Sequence, residues 1–96
     1  MGIGINSELT NEIIRFARAH NIKEVILFGS RARGDNRERS DIDLAVRGGD
    51  VLSFRYSLNE SSRTLLKFDV VDLDWNIKPE FRQSIEKDGV LLYEKT

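Results

Sequence analysis

The hydrophobic residues of this chain follow two patterns, one with helical spacing and one of short continuous runs. Helical spacing is clearest near the N-terminus, where apolar residues share one face at Leu9, Ile13, Ile14, Phe16 and Ala17. This spacing predicts a helix from Ser7 to His20, with Asn6 or Ser7 as its cap. The short runs predict buried strands at Lys23 to Phe28, Ile42 to Val46, Phe68 to Leu73 and Val90 to Tyr93.

Turn-forming and capping residues between these runs predict the other elements. Three further helices are expected, at Ser30 to Ala32, Val51 to about Leu66 and Pro79 to about Gly89. Asp50 can cap the second of these helices, and Pro79 suits the first turn of the third because its missing N–H costs nothing there. Loops are expected at Gly34 to Asn36 and at Trp75 to Lys78. The alternation of helices and strands predicts an α/β or α+β fold, with a small mixed sheet flanked by helices.

Length and composition narrow the classes of function. The chain has 96 residues, of which 40% are hydrophobic and 32% charged, and this predicts one small domain over residues 1–96. With no cysteine and one histidine, disulfides and ordinary zinc sites are excluded. The formal net charge of −1 does not indicate a nucleic-acid partner, although it leaves one possible. No segment approaches the ~20 apolar residues of a membrane span and the N-terminus lacks a signal-peptide pattern, so a cytoplasmic location is expected.

The most informative segment runs from Gly29 to Asp43, between two apolar runs. Gly29 and Ser30 follow the first strand directly. Glycine lets the backbone approach a phosphate closely, and the serine adds a hydroxyl donor. Ten residues separate Ser30 from Asp41, and Asp41 and Asp43 then flank one isoleucine at the start of the second strand. Because side chains alternate along a strand, both carboxylates project from one face, with Cα atoms about 6.5–7 Å apart.

Two neighbouring carboxylates repel each other, and divalent cations would offset that charge. Two cations about 3.5–4 Å apart can clamp the attacking and leaving oxygens of phosphoryl transfer, and Mg²⁺ prefers carboxylates, water and phosphates as ligands. Taken alone, an Asp-x-Asp pair is more often a solvated edge strand, and strand–Gly–Ser–helix junctions are common. Their combination is much rarer, and neither a Walker loop nor a dinucleotide fingerprint is present. The joint pattern predicts metal-dependent chemistry on a nucleoside triphosphate.

The segment from Gly29 to Leu44 resembles the signature of a known family. The segments Gly-Ser-Arg-Ala-Arg-Gly (29–34) and Ser-Asp-Ile-Asp-Leu (40–44) closely resemble the two-part signature of the DNA polymerase β-like nucleotidyltransferase superfamily. Within it, nearly the whole chain resembles the minimal nucleotidyltransferases of bacteria and archaea (the MNT or MntA-like group). The resemblance implies a polymerase β-like fold. It also implies two Mg²⁺ ions bound by Asp41 and Asp43, with Gly29 and Ser30 holding the triphosphate.

A third carboxylate from a neighbouring strand completes the site in this superfamily. The strand predicted at Phe68 to Leu73 contains Asp69 and Asp72, with Asp74 just beyond it. Because side chains alternate along a strand, Asp69 lies on the face opposite Asp72 and Asp74. The residues alone do not decide which of the two faces belongs to the site. The resemblance places the third carboxylate early in the strand, so it favours Asp69 as metal ligand and catalytic residue.

Four arginines, at positions 31, 33, 37 and 39, border the predicted site in sequence. Guanidinium groups suit triphosphate oxygens or an RNA backbone. The alternative is a solvated loop whose charge is balanced by Asp35 and Glu38. We predict that Arg31 or Arg33 contacts the phosphates, and that the two later arginines do not.

The resemblance implies transfer of a nucleoside monophosphate, with ATP as the expected donor, to an acceptor hydroxyl, with release of pyrophosphate. A chain of this length leaves little to bind an acceptor, so a partner or a homodimer is expected. Proteins of the group are typically paired with a HEPN-domain toxin, to which they add AMP as the antitoxin. Two alternatives stay open. One is a non-catalytic module that neutralises a partner by contact, and the other is an aminoglycoside-type enzyme that modifies a small molecule.

Overall fold

The structure, a computed structural model, describes residues 3–75 and 77–95. The predicted alternation of helices and strands is confirmed, and Asn76, in the loop predicted at 75–78, lies outside the described residues. The elements are α1 (Ser7–Ala19), β1 (Glu24–Phe28), α2 (Ser30–Arg33), β2 (Ile42–Arg47), α3 (Val51–Ser61), β3 (Phe68–Asp72), α4 (Pro79–Asp88) and β4 (Val90–Glu94). Within the described ranges, no helix has the length and apolar character needed to cross a membrane.

The described strands form one sheet in the order β3–β2–β1–β4. β1 runs antiparallel to both of its neighbours, β2 and β4, whereas β2 and β3 are parallel. Parallel neighbours need a crossover connection, and α3 supplies it. The mixed sheet predicted from the sequence is therefore confirmed, and β3 is one of its edges.

The core lies between one face of the sheet and the helices α1 and α3. Alternate residues of β1 and β2 point into it and are fully buried, together with residues of the two helices, the larger of these being Ile13, Val25, Leu27, Ile42, Leu44, Val46, Phe54 and Leu58. On the opposite face α4 packs against β1, where the ring centroids of Phe81 and Phe28 lie 6.2 Å apart. Because the apolar residues fix which face is the core, they also fix the face of the residues that alternate with them.

Side-chain caps set the starts of α1 and α3, as predicted. The side-chain oxygen Oδ1 of Asn6 accepts a hydrogen bond from the N–H of Leu9 at 2.8 Å. One carboxylate oxygen of Asp50 accepts from the N–H of Ser53 at 3.1 Å. Each cap satisfies a backbone donor that has no partner inside its helix.

The predicted end of α3 near Leu66 is wrong, because the helix ends at Ser61. Ser62 is already extended, with ψ of 156°. The next N–H, that of Arg63, donates to the carboxylate of Glu12 on α1 at 3.1 Å instead of to a helical carbonyl. A tertiary hydrogen bond thus outweighs the apolar spacing that continues to Leu66.

The first residue of β3 is held by a side chain of α3. Asn59 Oδ1 accepts from the N–H of Phe68 at 2.9 Å, and Asn59 Nδ2 donates to the carbonyl of Phe68 at 3.2 Å. On the other side of the strand, the N–H of Ile42 donates to the carbonyl of Lys67 at 2.9 Å. The outward-facing groups of Phe68 are therefore paired, although the strand is at the edge of the sheet.

Candidate active site

Three carboxylates lie on the sheet face opposite the core. In the parallel β2–β3 pair, Asp43 stands directly beside Asp69. Residues beside each other in a ladder share a face, so both carboxylates project together. Asp41 precedes β2 by one residue and keeps the same alternation, since the intervening Ile42 is fully buried in the core. The predicted separation of Asp72 from this group is also observed, because Asp72 pairs with the core-facing Val46.

The Gly-Ser turn lies against these carboxylates. Phe28, the last residue of β1, pairs with Asp43 in the antiparallel ladder, and Gly29 follows at once. Gly29 has a φ of +77°, a conformation that favours glycine, and a Cβ at this position would overlap the carboxylate of Asp43. The absence of a side chain therefore brings the backbone of the turn, with Ser30 next to it, up to Asp43.

The environment of Asp43 disfavours its charge. The pKa of this carboxyl is raised to about 6, first by burial and then by the negative charges of Asp69 and Asp41, while Arg33 opposes the rise. A half-buried carboxylate that is repelled by two others is the arrangement that divalent cations stabilise. The three carboxylates and the Gly-Ser turn form one candidate site.

Comparison with known proteins identifies the family of this chain. Residues 11–96 match the family model described as polymerase beta, nucleotidyltransferase. The chain belongs to this family. Its members transfer a nucleotidyl group, so the chain is a nucleotidyltransferase of the polymerase β-like fold.

Relatives and solved structures extend this comparison. A Methanocaldococcus jannaschii protein provisionally named a protein adenylyltransferase is 36% identical over 85 residues, covering 75% of this chain and 79% of its own. A second protein of that organism with the same provisional name is 35% identical over 60 residues, covering 56% and 64%. A crystal structure of a toxin–antitoxin with AMP-PNP superposes with a TM-score of 0.73 at 26% identity, covering 90% of this chain and 73% of that one.

Arg31 is buried, and its guanidinium is bonded to the backbone of the protein itself. The residue is 6% exposed. Its guanidinium donates to four backbone carbonyls, those of Gly4 (2.6 Å), Ser40 (3.0 Å), Glu38 (3.0 Å) and Arg37 (3.4 Å). We therefore correct the predicted phosphate contact of Arg31. It ties the loop that carries Asp41 to α2, which begins at the Gly-Ser turn.

Arg33 stays the arginine candidate for the triphosphate. Its side chain is 41% exposed and forms ion pairs with Asp35 (3.1 Å) and Asp88 (3.4 Å). Hydrogen bonds to these two carboxylates raise its pKa, so it is always charged. It is also close enough to Asp43 to lower the pKa of that carboxyl. An exposed cation beside the candidate site is available to phosphate oxygens.

The three carboxylates of the candidate site are suitable ligands for Mg²⁺. The donors are carboxylate oxygens alone, which Mg²⁺ prefers and which zinc and copper sites rarely use by themselves. Among residues 3–75 and 77–95, no group of three or more acidic, histidine or cysteine side chains is already arranged around one metal position. Binding of a cation by Asp41, Asp43 and Asp69 would therefore require changes in their side-chain torsions.

Lys67 borders the site and was not singled out in the sequence. Ile42 pairs with Phe68, so the same register places Lys67 beside Asp41. The side chain of Lys67 is exposed and makes no ion pair within the described residues. Alternation along the strand could have identified Lys67 from the sequence, because it precedes Asp69 by two positions and therefore shares its face.

The raised pKa of Asp43 predicts a pH-dependent stability difference between the metal-free protein and its Asp43→Asn variant. The carboxyl binds its proton more tightly in the folded state than in the unfolded state, so its ionisation destabilises the fold as the pH rises from about 4 through about 6. We expect Asp43→Asn to be more stable than the parent by about 1 kcal/mol at pH 7, after allowance for screening of a half-exposed group.

The measurement is urea unfolding in EDTA at pH 7, 5 and 4, with Asp72→Asn as the control on the opposite face. The advantage of Asp43→Asn should decrease steadily from pH 7 to pH 4, because the folded-state carboxyl becomes protonated over this range. A constant advantage across this range would contradict the assignment to Asp43 ionisation.

Proposed function

We propose that this nucleotidyltransferase transfers AMP from ATP to a hydroxyl group of a partner protein, with Mg²⁺ as its cofactor. The observation that carries the proposal is the placement of Asp41, Asp43 and Asp69 on one sheet face against the Gly-Ser turn. The adenylyl donor is supported by the names of the two archaeal relatives and by the AMP-PNP of the toxin–antitoxin structure.

In the proposed reaction the acceptor oxygen forms a bond to the α-phosphorus of ATP, and the bond from that phosphorus to the bridging oxygen breaks. Pyrophosphate leaves, and Asp69 receives the proton of the hydroxyl. Gly29 and Ser30 hold the triphosphate through the backbone N–H groups of the turn and the serine hydroxyl. Asp41 and Asp43, with Asp69, would hold two Mg²⁺ ions, and the ions would supply positive charge next to the reacting oxygens.

The partner in this proposal is a HEPN-domain toxin, which the enzyme inactivates by adding AMP. A toxin–antitoxin pair is the assembly described for the neighbour with AMP-PNP, and this supports a protein acceptor. In this proposal residues 1–96 form a single catalytic domain in the cytoplasm, and the partner contributes the acceptor.

The test is incubation of the protein with Mg²⁺, ATP labelled at the α-phosphate and the HEPN-domain protein encoded beside it. We expect label on that protein, one pyrophosphate released for each AMP added, and no transfer in EDTA or from ATP labelled at the γ-phosphate. Absence of label on the HEPN-domain protein would contradict the proposed acceptor. Neutralisation of the toxin without label would favour a contact-only module, and label on an aminoglycoside would favour a small-molecule enzyme.

A further inference from the structure

A cavity of about 580 Å³ opens beside the candidate site, at the ends where β2 and β3 begin. It is formed by the segment before β2 and the segment before β3, and its lining residues are Glu38, Arg39, Asp41, Thr64, Leu65, Leu66 and Lys67. Asp41 belongs to both the cavity and the three carboxylates. The cavity is therefore continuous with the position where the reaction is proposed to occur.

The order of the strands places this cavity on the acceptor side. In an in-line displacement the attacking and leaving oxygens lie on opposite sides of the phosphorus. The turn proposed to hold the leaving phosphates follows β1, on one side of β2, whereas β3 lies on the other side. The acceptor must therefore enter from the side of β3. The described chain has no strand beyond β3 to cover that side.

The rim of the cavity has the chemistry of a binding surface for a polypeptide. Leu65 is fully exposed, at 104% of its reference area, while the neighbouring Leu66 packs against the core. Arg39 and Lys67 are both exposed, and neither makes an ion pair with a described residue. The exposed leucine and the two available cations share this cavity with Glu38 and Asp41. The leucine and the cations are complementary to a segment that carries both an apolar and an acidic side chain.

The geometry points to this cavity as the acceptor subsite, and to its occupant as a segment of the partner protein in which an acidic residue lies close to the acceptor hydroxyl. This inference rests on the proposed function. Arg39 and Lys67 attract the acidic residue, Leu65 contacts an apolar neighbour, and the hydroxyl lies next to Asp41. The two cations thus determine which hydroxyl is modified, and the nucleotide is held elsewhere.

The test compares Arg39→Gln, Lys67→Gln and the double variant with the parent enzyme, using ATP labelled at the α-phosphate and the HEPN-domain protein as acceptor. We expect the KM for the acceptor to rise about threefold in each single variant and about tenfold in the double variant. The KM for ATP and the rate at saturating acceptor should not change. In the parent, the acceptor KM should rise with ionic strength, and in the double variant much less. Lys95→Gln is the control, since this exposed lysine follows β4 at the other end of the sheet.

A second measurement locates the acceptor directly. The chain has no cysteine, so Leu65→Cys and Leu91→Cys each offer one site for a photoreactive maleimide. Leu91 is exposed on β4, at the far edge of the sheet. We expect crosslinks to the acceptor protein from position 65, within a few residues of the modified hydroxyl, and none from position 91. An unchanged acceptor KM, a raised KM for ATP, or crosslinks from position 91 alone would overturn the inference. Failure of the parent to transfer label would instead contradict the proposed function.

Discussion

Replacing Asp43 by asparagine should reduce nucleotidyl transfer at least ~100-fold, because an amide cannot supply the negative charge that holds the cations. Asp41→Asn should have a similar effect. In each variant the fold should survive, since removal of one of several repelling carboxylates relieves strain in the metal-free protein. The measurement is the rate of AMP transfer from labelled ATP at saturating Mg²⁺.

Asp72→Asn is the matched control for these variants. Asp72 is the same residue type on a neighbouring strand, but it pairs with Val46 and belongs to the opposite face. We expect it to transfer AMP at the parent rate. Thermal unfolding with Mg²⁺ and ATP adds a second readout, because the parent and Asp72→Asn should gain stability from the ligands while Asp43→Asn should not. Full activity of Asp43→Asn would exclude the proposed metal site.

Replacing Arg31 by methionine should destabilise the protein by about 3 kcal/mol, because four backbone carbonyls lose a charged donor in a buried position. For a domain of this size the loss corresponds to a decrease in Tm of more than ~10 °C. Arg31→Lys should recover only part of the stability, since an ammonium group cannot reproduce the fork of the guanidinium.

Arg33→Met is the control for Arg31→Met, because Arg33 is exposed and its ion pairs lie at the surface. It should leave the free energy of unfolding nearly unchanged, because surface ion pairs contribute little to stability, and it should raise the KM for ATP. Urea unfolding and ATP kinetics separate the two arginines. A stable Arg31→Met variant with weakened ATP binding would restore Arg31 as the phosphate contact.

The sequence alone predicts which face of a strand each residue occupies, because side chains alternate along the strand. The buried Ile42 and Leu44 set the core face of β2, and the opposite face of Asp43 followed from a period of two residues. The position of Asp69 beside Asp43 needed one more fact, the parallel register of β2 and β3, which no local pattern supplies. The family resemblance favours Asp69, and the register places it beside Asp43, whereas its role as a metal ligand stays a prediction.

Arg31 shows what local reasoning could not reach. In the sequence Arg31 and Arg33 are equivalent arginines after a Gly-Ser turn, and both suit a phosphate. Their difference arises from the segment around Gly4, which returns to cover Arg31 and accepts a hydrogen bond from its guanidinium. The end of α3 was missed for the same reason, because the N–H of Arg63 finds its partner on α1. Both errors come from tertiary hydrogen bonds between residues far apart in the sequence.

The amide of Asn59 has a consequence for self-association. An edge strand with free backbone groups can recruit the same strand of another copy, and sheets then grow from molecule to molecule. Here the outward groups of Phe68 are already occupied by Asn59, so a second copy would find only the distal part of β3 to pair with. Pairing through that part alone would form fewer backbone hydrogen bonds than pairing along the whole strand. The amide of Asn59 thus weakens self-association at the edge that carries Asp69, while Asp69 itself stays exposed.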